Sequence, residues 1–344
     1  MQTTKATNKL YAGADLHGNN VFLSVCDQDG NNVFRKRVKA NLEAVNAALD
    51  PFWDRIEALG VESTFNWYWF VDGLREQGRN VKLGNPAKMA QYAGIKITND
   101  LTDADWLADQ LRMDIFPECY IYPKETRSVR DALRRRQLFV QRRTQVILCL
   151  GGLLERYGQD APSARKLEQW TAEDIKATKL DGFVQLQLET LLDSIRESDR
   201  QAQKIEEQVL AFTKPTKQYR RATTLPGIGV ALGMLIVLEG GDFKRFKSAG
   251  NFASYCRAVK SERSSNGKTK GKNNAKNGNQ YLAWAFIEAA TFAARFNPRI
   301  HAWYERKKRK SGVAKAKKAL ACKLAKAMWH VMNGKDFDEK LMFG

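Results

Sequence analysis

Leu10-Tyr11-Ala12-Gly13-Ala14-Asp15, then Val21-Phe22-Leu23-Ser24-Val25-Cys26, then the turn signal Asp27-Gln28-Asp29-Gly30 before a third strand-like run at 32–38, decide the fold. Short apolar and β-branched runs joined by Asp-Gly turn chemistry predict strands of an antiparallel meander. Working outward, 41–59 carries Leu42, Val45, Ala48, Leu49, Phe52 and Ile56 at helical spacing and predicts a helix. Residues 61–65 predict a short strand, 67–77 a helix ended by Gly78, and 80–83 a strand stopped by Asn85-Pro86. Residues 120–123 predict a last strand.

Three strands, a helix, then alternating strands and helices is the order of the ribonuclease H fold, an α/β layer with a mixed sheet. Four acids sharpen that expectation. Asp15 ends the first strand, Glu62 falls in the 61–65 strand, and Asp100 and Asp103 lie three apart, on one helix face. Asp105 and Asp109 point elsewhere around the turn. Carboxylates gathered at strand ends repel by about 3 kcal/mol per pair at ~5 Å and an effective dielectric of ~20. Divalent cations remove that cost, and Mg²⁺ is held by a few hard carboxylate oxygens with phosphate completing its shell. Two such ions can clamp both oxygens of a phosphodiester exchange. Four unrelated surface acids are the simpler alternative for any one of them.

The chain has 344 residues and is 43% hydrophobic, enough for two domains or a domain plus an extended arm, with a sizeable core. Its net charge is +19. The charge is unevenly spread: −3 over 1–125, +4 over 126–218 and +18 over 219–344. That footprint points to nucleic acid, bound mainly through the last third. Cys26, Cys119, Cys149, Cys256 and Cys322 form no CxxC pair, and His17, His301 and His330 are scattered, which argues against a disulfide framework or a zinc site. Nothing resembles a signal segment or a membrane span. A soluble cytoplasmic protein is expected.

Residues 127–157 predict a long helix, basic at Arg134-Arg135-Arg136 and Arg142-Arg143, which is either a nucleic-acid face or a solvated one. Residues 160–181 look like a connector. Residues 183–212 predict one long helix with Leu188, Leu191, Ile195, Ala202, Ile205, Val209 and Phe212 on a and d positions. That seam suits a coiled coil, within the chain or between protomers. Leu225-Pro226-Gly227-Ile228-Gly229 predicts a turn between helices whose backbone N–H groups at Gly227 and Gly229 meet a DNA phosphate.

The most reactive-looking stretch follows: Arg263-Ser264-Ser265-Asn266-Gly267-Lys268-Thr269-Lys270-Gly271-Lys272. Arg263, Lys268, Lys270 and Lys272 would take phosphate, and the surrounding cations would stabilise a serine alkoxide and a pentavalent phosphorane. A solvated basic loop reads the same by charge alone. Further on, Arg306-Lys307-Lys308-Arg309-Lys310 and a lysine-studded amphipathic helix form a second basic region. Neutralising ~6 phosphates there gives a log–log salt slope of roughly −5.

These residues carry a resemblance. Gly13-Ala14-Asp15, Glu62-Ser63-Thr64, Asp100-x-x-Asp103-Ala104-x-x-Leu107-Ala108, Pro226-Gly227-Ile228-Gly229, Phe243-x-x-Phe246, the Ser-Asn-Gly-Lys loop and Lys276-Asn277-Gly278-Asn279-x-x-Leu282 resemble, in that order, the DEDD insertion-sequence transposases of the insertion sequence one-ten family. The resemblance covers nearly the whole chain. It implies a RuvC-like, ribonuclease H-fold domain over 1–158, a connector and coiled-coil helix over 159–218, and a mostly helical transposase domain over 219–344. It implies that Asp15, Glu62, Asp100 and Asp103 form a catalytic, Mg²⁺-binding tetrad. It implies that a serine of the loop forms a covalent phosphoserine link with DNA: Ser265 matches best, then its neighbour Ser264, with Ser261 a distant third.

Such relatives are guided by a structured noncoding bridge RNA (or seekRNA) that pairs with donor and target DNA. They assemble as tetramers, two dimers with shared active sites, on the bacterial nucleoid. This chain departs from the pattern at Thr98-Asn99, at Asn266, and at Arg257-Ala258-Val259-Lys260, where many relatives have Gly-Leu-x-Pro. Three other readings compete: a RuvC-like nuclease or junction resolvase using water, a non-catalytic nucleic-acid-binding protein, and a structural RNA-binding subunit.

Overall fold

A computed structural model describes residues 9–89, 100–259, 262–265, 268–272 and 277–343, with the backbone alone at 100–102, 262–265 and 268–272. The chain forms two compact units, one running to Lys124 and also taking in Lys272 and Asn277, the other made of the described residues from Glu125 to Gly271 and from Gly278 on.

The first unit opens with the meander. β1 (Leu10–Leu16) pairs antiparallel with β2 (Asn20–Cys26), and β2 with β3 (Asn32–Lys39). Asp27 sets the second turn, its Oδ1 accepting from the backbone N–H groups of Asp29 and Asn31 at 2.9 Å each. Asn41 caps α1 (Leu42–Leu49), accepting from Ala44 N at 2.8 Å.

That helix is shorter than the 41–59 spacing predicts. Pro51 has no N–H to continue the ladder, so the chain makes a 3-10 turn at Asp50–Phe52 and enters β4 (Ile56–Glu62). Phe52 and Ile56 still pack on the same core, which is why their spacing mimicked a helix. The strand expected at 61–65 thus starts five residues early, and Glu62 is its last residue. α2 (Trp67–Glu76), β5 (Val81–Gly84), α3 (Pro86–Met89) and α4 (Asp100–Arg112) follow.

The sheet order is β3-β2-β1-β4-β5, with β4 parallel to β1 and β5 parallel to β4. No strand forms at 120–123. Glu118 makes one isolated bridge to Gly84, and Pro117 and Pro123 remove the ladder donors on either side. One sheet face buries Val45 and Leu49 of α1 with Phe70, Val71 and Leu74 of α2. The backbone of α4 lies on the other.

The second unit is mostly helical. α5 (Lys124–Arg156) leads through α6 (Ala164–Leu167) and α7 (Ala172–Ala177) to α8 (Gly182–Thr213). The expected connector is therefore partly ordered: Leu167 and Ile175 join Leu150, Leu154, Leu188 and Leu192 in one cluster. α5 and α8 run antiparallel, since Arg136 pairs with Glu206 at 2.6 Å and Arg143 with Asp199 at 3.5 Å. The buried line of α8 (Val184, Leu188, Leu192, Ile195, Ser198, Ala202, Val209) is covered from within the chain.

α9 (Lys217–Ala222), α10 (Val230–Gly240) and α11 (Ala249–Tyr255) precede a two-stranded ribbon, β6 (Glu262–Ser265) and β7 (Lys268–Lys272). α12 (Gln280–Phe296), α13 (Pro298–Ser311), α14 (Val313–Met332) and α15 (Glu339–Phe343) complete the unit. Fully buried Phe252 packs within 5.0 Å of Phe243 and of Phe246, and 5.9 Å from Phe286, between ring centroids. Burying such a ring contributes about 1.5–3 kcal/mol. Among the described residues no helix is long and apolar enough to cross a membrane.

Candidate active site

Ala14 of β1 pairs with Val61 of β4, so Asp15 and Glu62 are the next residues along two adjacent parallel strands. Side chains on a strand alternate, so Asp15 shares a face with Gly13, and Glu62 with Gly60. Both glycines mark the face that α4 covers. A Cβ on Gly13 would stand 2.0 Å from Ala104 O, and one on Gly60 3.1 Å from Leu111 Cδ1. Asp15 and Glu62 therefore leave the sheet on the side of α4.

The direction of α4 follows from its partners. Asp105 meets Ser24, the strand partner of Gly13, while Asp109 and Arg112 lie near Cys26, the partner of Tyr11. Thus α4 runs antiparallel to β1, and its first turn, with Asp100 and Asp103, lies toward the strand end that carries Asp15. The sheet and helix bring Asp15, Glu62 and Asp103 to one end of one layer. Asp100 stands at the helix start and is described by its backbone alone. Among the described residues no three His, Cys, Asp or Glu side chains are gathered tightly enough to hold a metal ion.

Two further groups brace this end. His17 Nε2 lies 3.1 Å from Asp15 Oδ2, close enough for an ion pair but not aligned for a hydrogen bond. Asn66 Nδ2 donates to His17 O at 2.8 Å, tying the loop after β4 to the loop after β1. Asn66 is not visible in sequence as a partner of this end, because its bond joins residues 49 apart. Asp105 is a clamp for α4: its carboxylate accepts from Ser24 Oγ at 2.5 Å and from Arg35 Nε and Nη2 at 3.0 and 2.6 Å.

Arg263, Ser264 and Ser265 lie on β6, and Lys268, Lys270 and Lys272 on β7. Ser261, Asn266 and Gly267 fall outside the described residues, as do Thr98 and Asn99. The base of this ribbon is closed by two bonds. Asn279 N donates to Tyr255 O at 2.7 Å, and Arg257 Nη2 to Gly278 O at 3.0 Å. Arg257 has φ 53°, a left-handed conformation that favours glycine.

Asn279 does more. Its Oδ1 caps α12, accepting from Tyr281 N and Leu282 N at 2.9 and 3.0 Å, while its Nδ2 donates to Glu239 at 2.7 Å. Glu239 is fully buried and takes Arg134 through two bonds, 2.5 and 2.8 Å. The carboxylate holds the Arg134 guanidinium's proton affinity above its usual range, against the opposing effect of burial.

This knot answers part of the arginine question on α5. Arg134, Arg136 and Arg143 pair with Glu239 of α10, Glu206 of α8 and Glu168 at the end of α6. Arg135 and Arg142 are exposed. Of the other expected contacts, Gly227 has φ +81°, and a Cβ there would stand 2.2 Å from Ala289 O of α12. Its glycine is required by packing whether or not phosphate also binds. Gly229 is the N-cap residue of α10, with open space around it. On α13, Arg306 and Lys307 are exposed, while Lys308 pairs with Glu305 at 3.0 Å.

The acid-bearing sheet end precedes the serine ribbon along the chain, and sequence comparison decides which family this is. A family model described as a transposase, for the IS110 type with the DEDD signature, matches residues 12–159. A second, described as the transposase IS116/IS110/IS902 family, matches 219–305. The chain belongs to the IS110 family of DEDD transposases. The protein is thus a DNA transposase, an enzyme of strand cleavage and transfer.

Curated relatives agree. The transposase is 25% identical over 275 residues to a "Probable family 20 transposase" of Pseudomonas aeruginosa, covering 78% of this chain and 79% of the relative. It is 24% identical over 328 residues to the "Transposase for insertion sequence element IS1111A" of Coxiella burnetii, covering 93% and 88%. Against an "Insertion element IS110 uncharacterized 43.6 kDa protein" of Streptomyces coelicolor it is 24% identical over 180 residues, covering 45% and 44%.

Proposed function

We propose that this transposase cuts and exchanges DNA strands through a covalent phosphoserine at Ser265, with Asp15, Glu62, Asp100 and Asp103 as a Mg²⁺-binding tetrad on a ribonuclease H-like, RuvC-type domain. The observation that carries the reading is the shared layer. Asp15, next to last in β1, and Glu62, last in the adjacent parallel β4, stand on the face that α4 covers, and Asp103 lies on that helix. The sheet order β3-β2-β1-β4-β5 supports the domain type. The donor set suits a hard cation, being all carboxylate oxygen. A divalent cation bound there would neutralise charge that builds on the scissile phosphate.

The other steps belong to the chain's own groups. Ser265 Oγ forms a bond to phosphorus as the bond to the leaving sugar oxygen breaks, and the serine proton ends on that sugar oxygen. One phosphate ester replaces another, so the phosphoserine keeps the energy needed to rejoin. A sugar hydroxyl of a second DNA end then attacks the same phosphorus and frees the serine. Arg263, Lys268, Lys270 and Lys272 flank the reacting phosphate and offset its charge.

The exposed basic face of α13, with Arg306 and Lys307, holds the duplex backbone. Base pairing in a bridge RNA chooses donor and target, and a tetramer in the cytoplasm, at the nucleoid, joins the two DNAs. The test is strand cleavage of element-end DNA with co-purified RNA. Cleavage should need Mg²⁺ and vanish in Asp15→Asn and Glu62→Gln. Unchanged cutting by both variants would overturn the tetrad.

A further inference from the structure

The first unit carries cations on the same sheet that gathers the acids. Its edge strand β3 holds Arg35, Lys36, Arg37 and Lys39, and alternation sorts them to two faces. Phe34 and Val38 pack on the core that α1 and α2 cover, so Lys36, between them, stands on that face. Arg35, Arg37 and Lys39 stand on the other, the face of α4, Asp15 and Glu62.

The register narrows this further. Phe22 of β2 pairs with Asp15 on one side and with Arg37 on the other. Residues opposite one another across a ladder share a face, so Arg37, Phe22 and Asp15 form one row, and Glu62 follows on the next strand. Strands lie about 4.8 Å apart, so the Arg37 backbone is about 10 Å from that of Asp15.

Arg35 and Arg37 are employed differently. Arg35, one row back, is held by Asp105 of α4 through bonds of 3.0 and 2.6 Å. Arg37 is exposed and, among the described residues, has no carboxylate partner; its guanidinium lies over the Phe22 ring, 5.4 Å from the centroid. The His17 ring meets the same Phe22 ring edge-on at 5.5 Å. Phe22 thus stands between Arg37 and Asp15. The cation does not close on the carboxylate, and its charge stays available to an anion brought to this end of the sheet.

We propose that Arg37 is a substrate-binding residue that takes the DNA phosphate next to the one held at the acids. A guanidinium steadied on a ring presents a planar fork that matches phosphate oxygens. Lys39, about 7 Å farther out along the same face, continues the track. The competing role is protection of a sheet edge, which charged side chains provide by deterring pairing with another chain. Either face serves that purpose, whereas a phosphate at the acids needs the cation on their face. Lys36 is therefore the control.

The inference rests on the tetrad reading above. Binding of labelled element-end DNA is followed by anisotropy in Mg²⁺ over a salt series, with the full-length protein and its co-purified RNA. Every protein carries Asp15→Asn, so that the DNA stays whole. On that background Arg37→Gln should weaken binding roughly tenfold, the scale of one charge-assisted bond. The log–log salt slope should become shallower by about 0.9, the share of one phosphate. Arg37→Lys should keep the slope and lose less affinity, because the charge remains and the fork does not. Lys36→Gln removes the same charge from the same strand and should bind like the background. Melting temperatures should agree throughout, since both side chains are exposed. Equal losses in Arg37→Gln and Lys36→Gln would reduce Arg37 to a share of the general field and overturn the proposal. Unchanged binding with self-association of Arg37→Gln would assign the cation to the sheet edge and also overturn it. DNA cut by Asp15→Asn alone would sink the tetrad reading and this inference with it. Whole DNA bound equally well by Arg37→Gln would sink this inference and leave the tetrad standing.

Discussion

Adding one methyl group at Gly13 should displace α4 and take the acids apart. An alanine Cβ at that position would lie 2.0 Å from Ala104 O and 2.8 Å from Ala108 N, both backbone atoms of the helix. Real contacts of this kind do not fall below 3.0 Å, so the helix must retreat by about 1 Å. A flexible side chain could turn aside, but a helix backbone anchored by Asp105 to Ser24 and Arg35 cannot do so locally. Overpacking of this size costs about 1–3 kcal/mol. For a unit this large, that lowers the melting temperature by roughly 3–10 °C.

The same shift carries Asp103 away from Asp15 and Glu62. A misplacement of about 1 Å in a catalytic set costs on the order of a hundredfold in rate. Differential scanning fluorimetry and metal-dependent cleavage of element-end DNA measure the two effects. Gly18→Ala is the control: nothing lies within 4 Å of its Cβ, and stability should change by no more than about 0.5 kcal/mol. A Gly13→Ala protein that melts with the parent and cuts at the parent's rate would refute the packing argument, and with it the shared layer.

Two other predictions concern the helical unit and the thiols. Glu239→Gln should destabilise the transposase by about 3 kcal/mol, read from urea unfolding, because Arg134 loses its buried counter-charge; the low end of the range applies since Arg134 is 31% exposed. A change below about 0.5 kcal/mol would mean that the Arg134–Glu239–Asn279 knot is ornamental. Burial pushes the Cys26 thiol up to about 11 and raises that of Cys256, whereas Cys149 is exposed. At pH 8 a disulfide reagent should therefore react with Cys149 first and reach Cys26 and Cys256 only on unfolding; early labelling of Cys256 would contradict the core around Phe252.

The sequence made the meander legible because two-residue alternation and an Asp-Gly turn act locally. It misread 41–59 because Phe52 and Ile56 continue a helical spacing past Pro51 while packing on the same core from a turn and a strand. The strand end that carries Asp15 could be read from run length, but that of Glu62 could not, because the apolar run at 61–65 put this acid near a strand's start and the strand in fact ends on it. The face they share could not, since it depends on which side α4 covers, and only Gly13 and Gly60, residues without side chains, record that. The α5 arginines were ambiguous for a similar reason. Their acids, Glu168, Glu206 and Glu239, come from other elements 25 or more residues away, and no local spacing announces them.

The central claim is that a serine of the ribbon joins covalently to DNA, and a trapping assay meets it directly. The transposase, its co-purified RNA, Mg²⁺ and labelled element-end DNA are mixed and run under denaturing conditions, with Ser264→Ala and Ser265→Ala beside the parent. The account predicts a DNA-linked protein band that Ser264→Ala keeps and Ser265→Ala loses. Cleaved DNA with no linked band, equal in all three proteins, would contradict it and leave hydrolysis by metal-activated water, the resolvase chemistry, in its place.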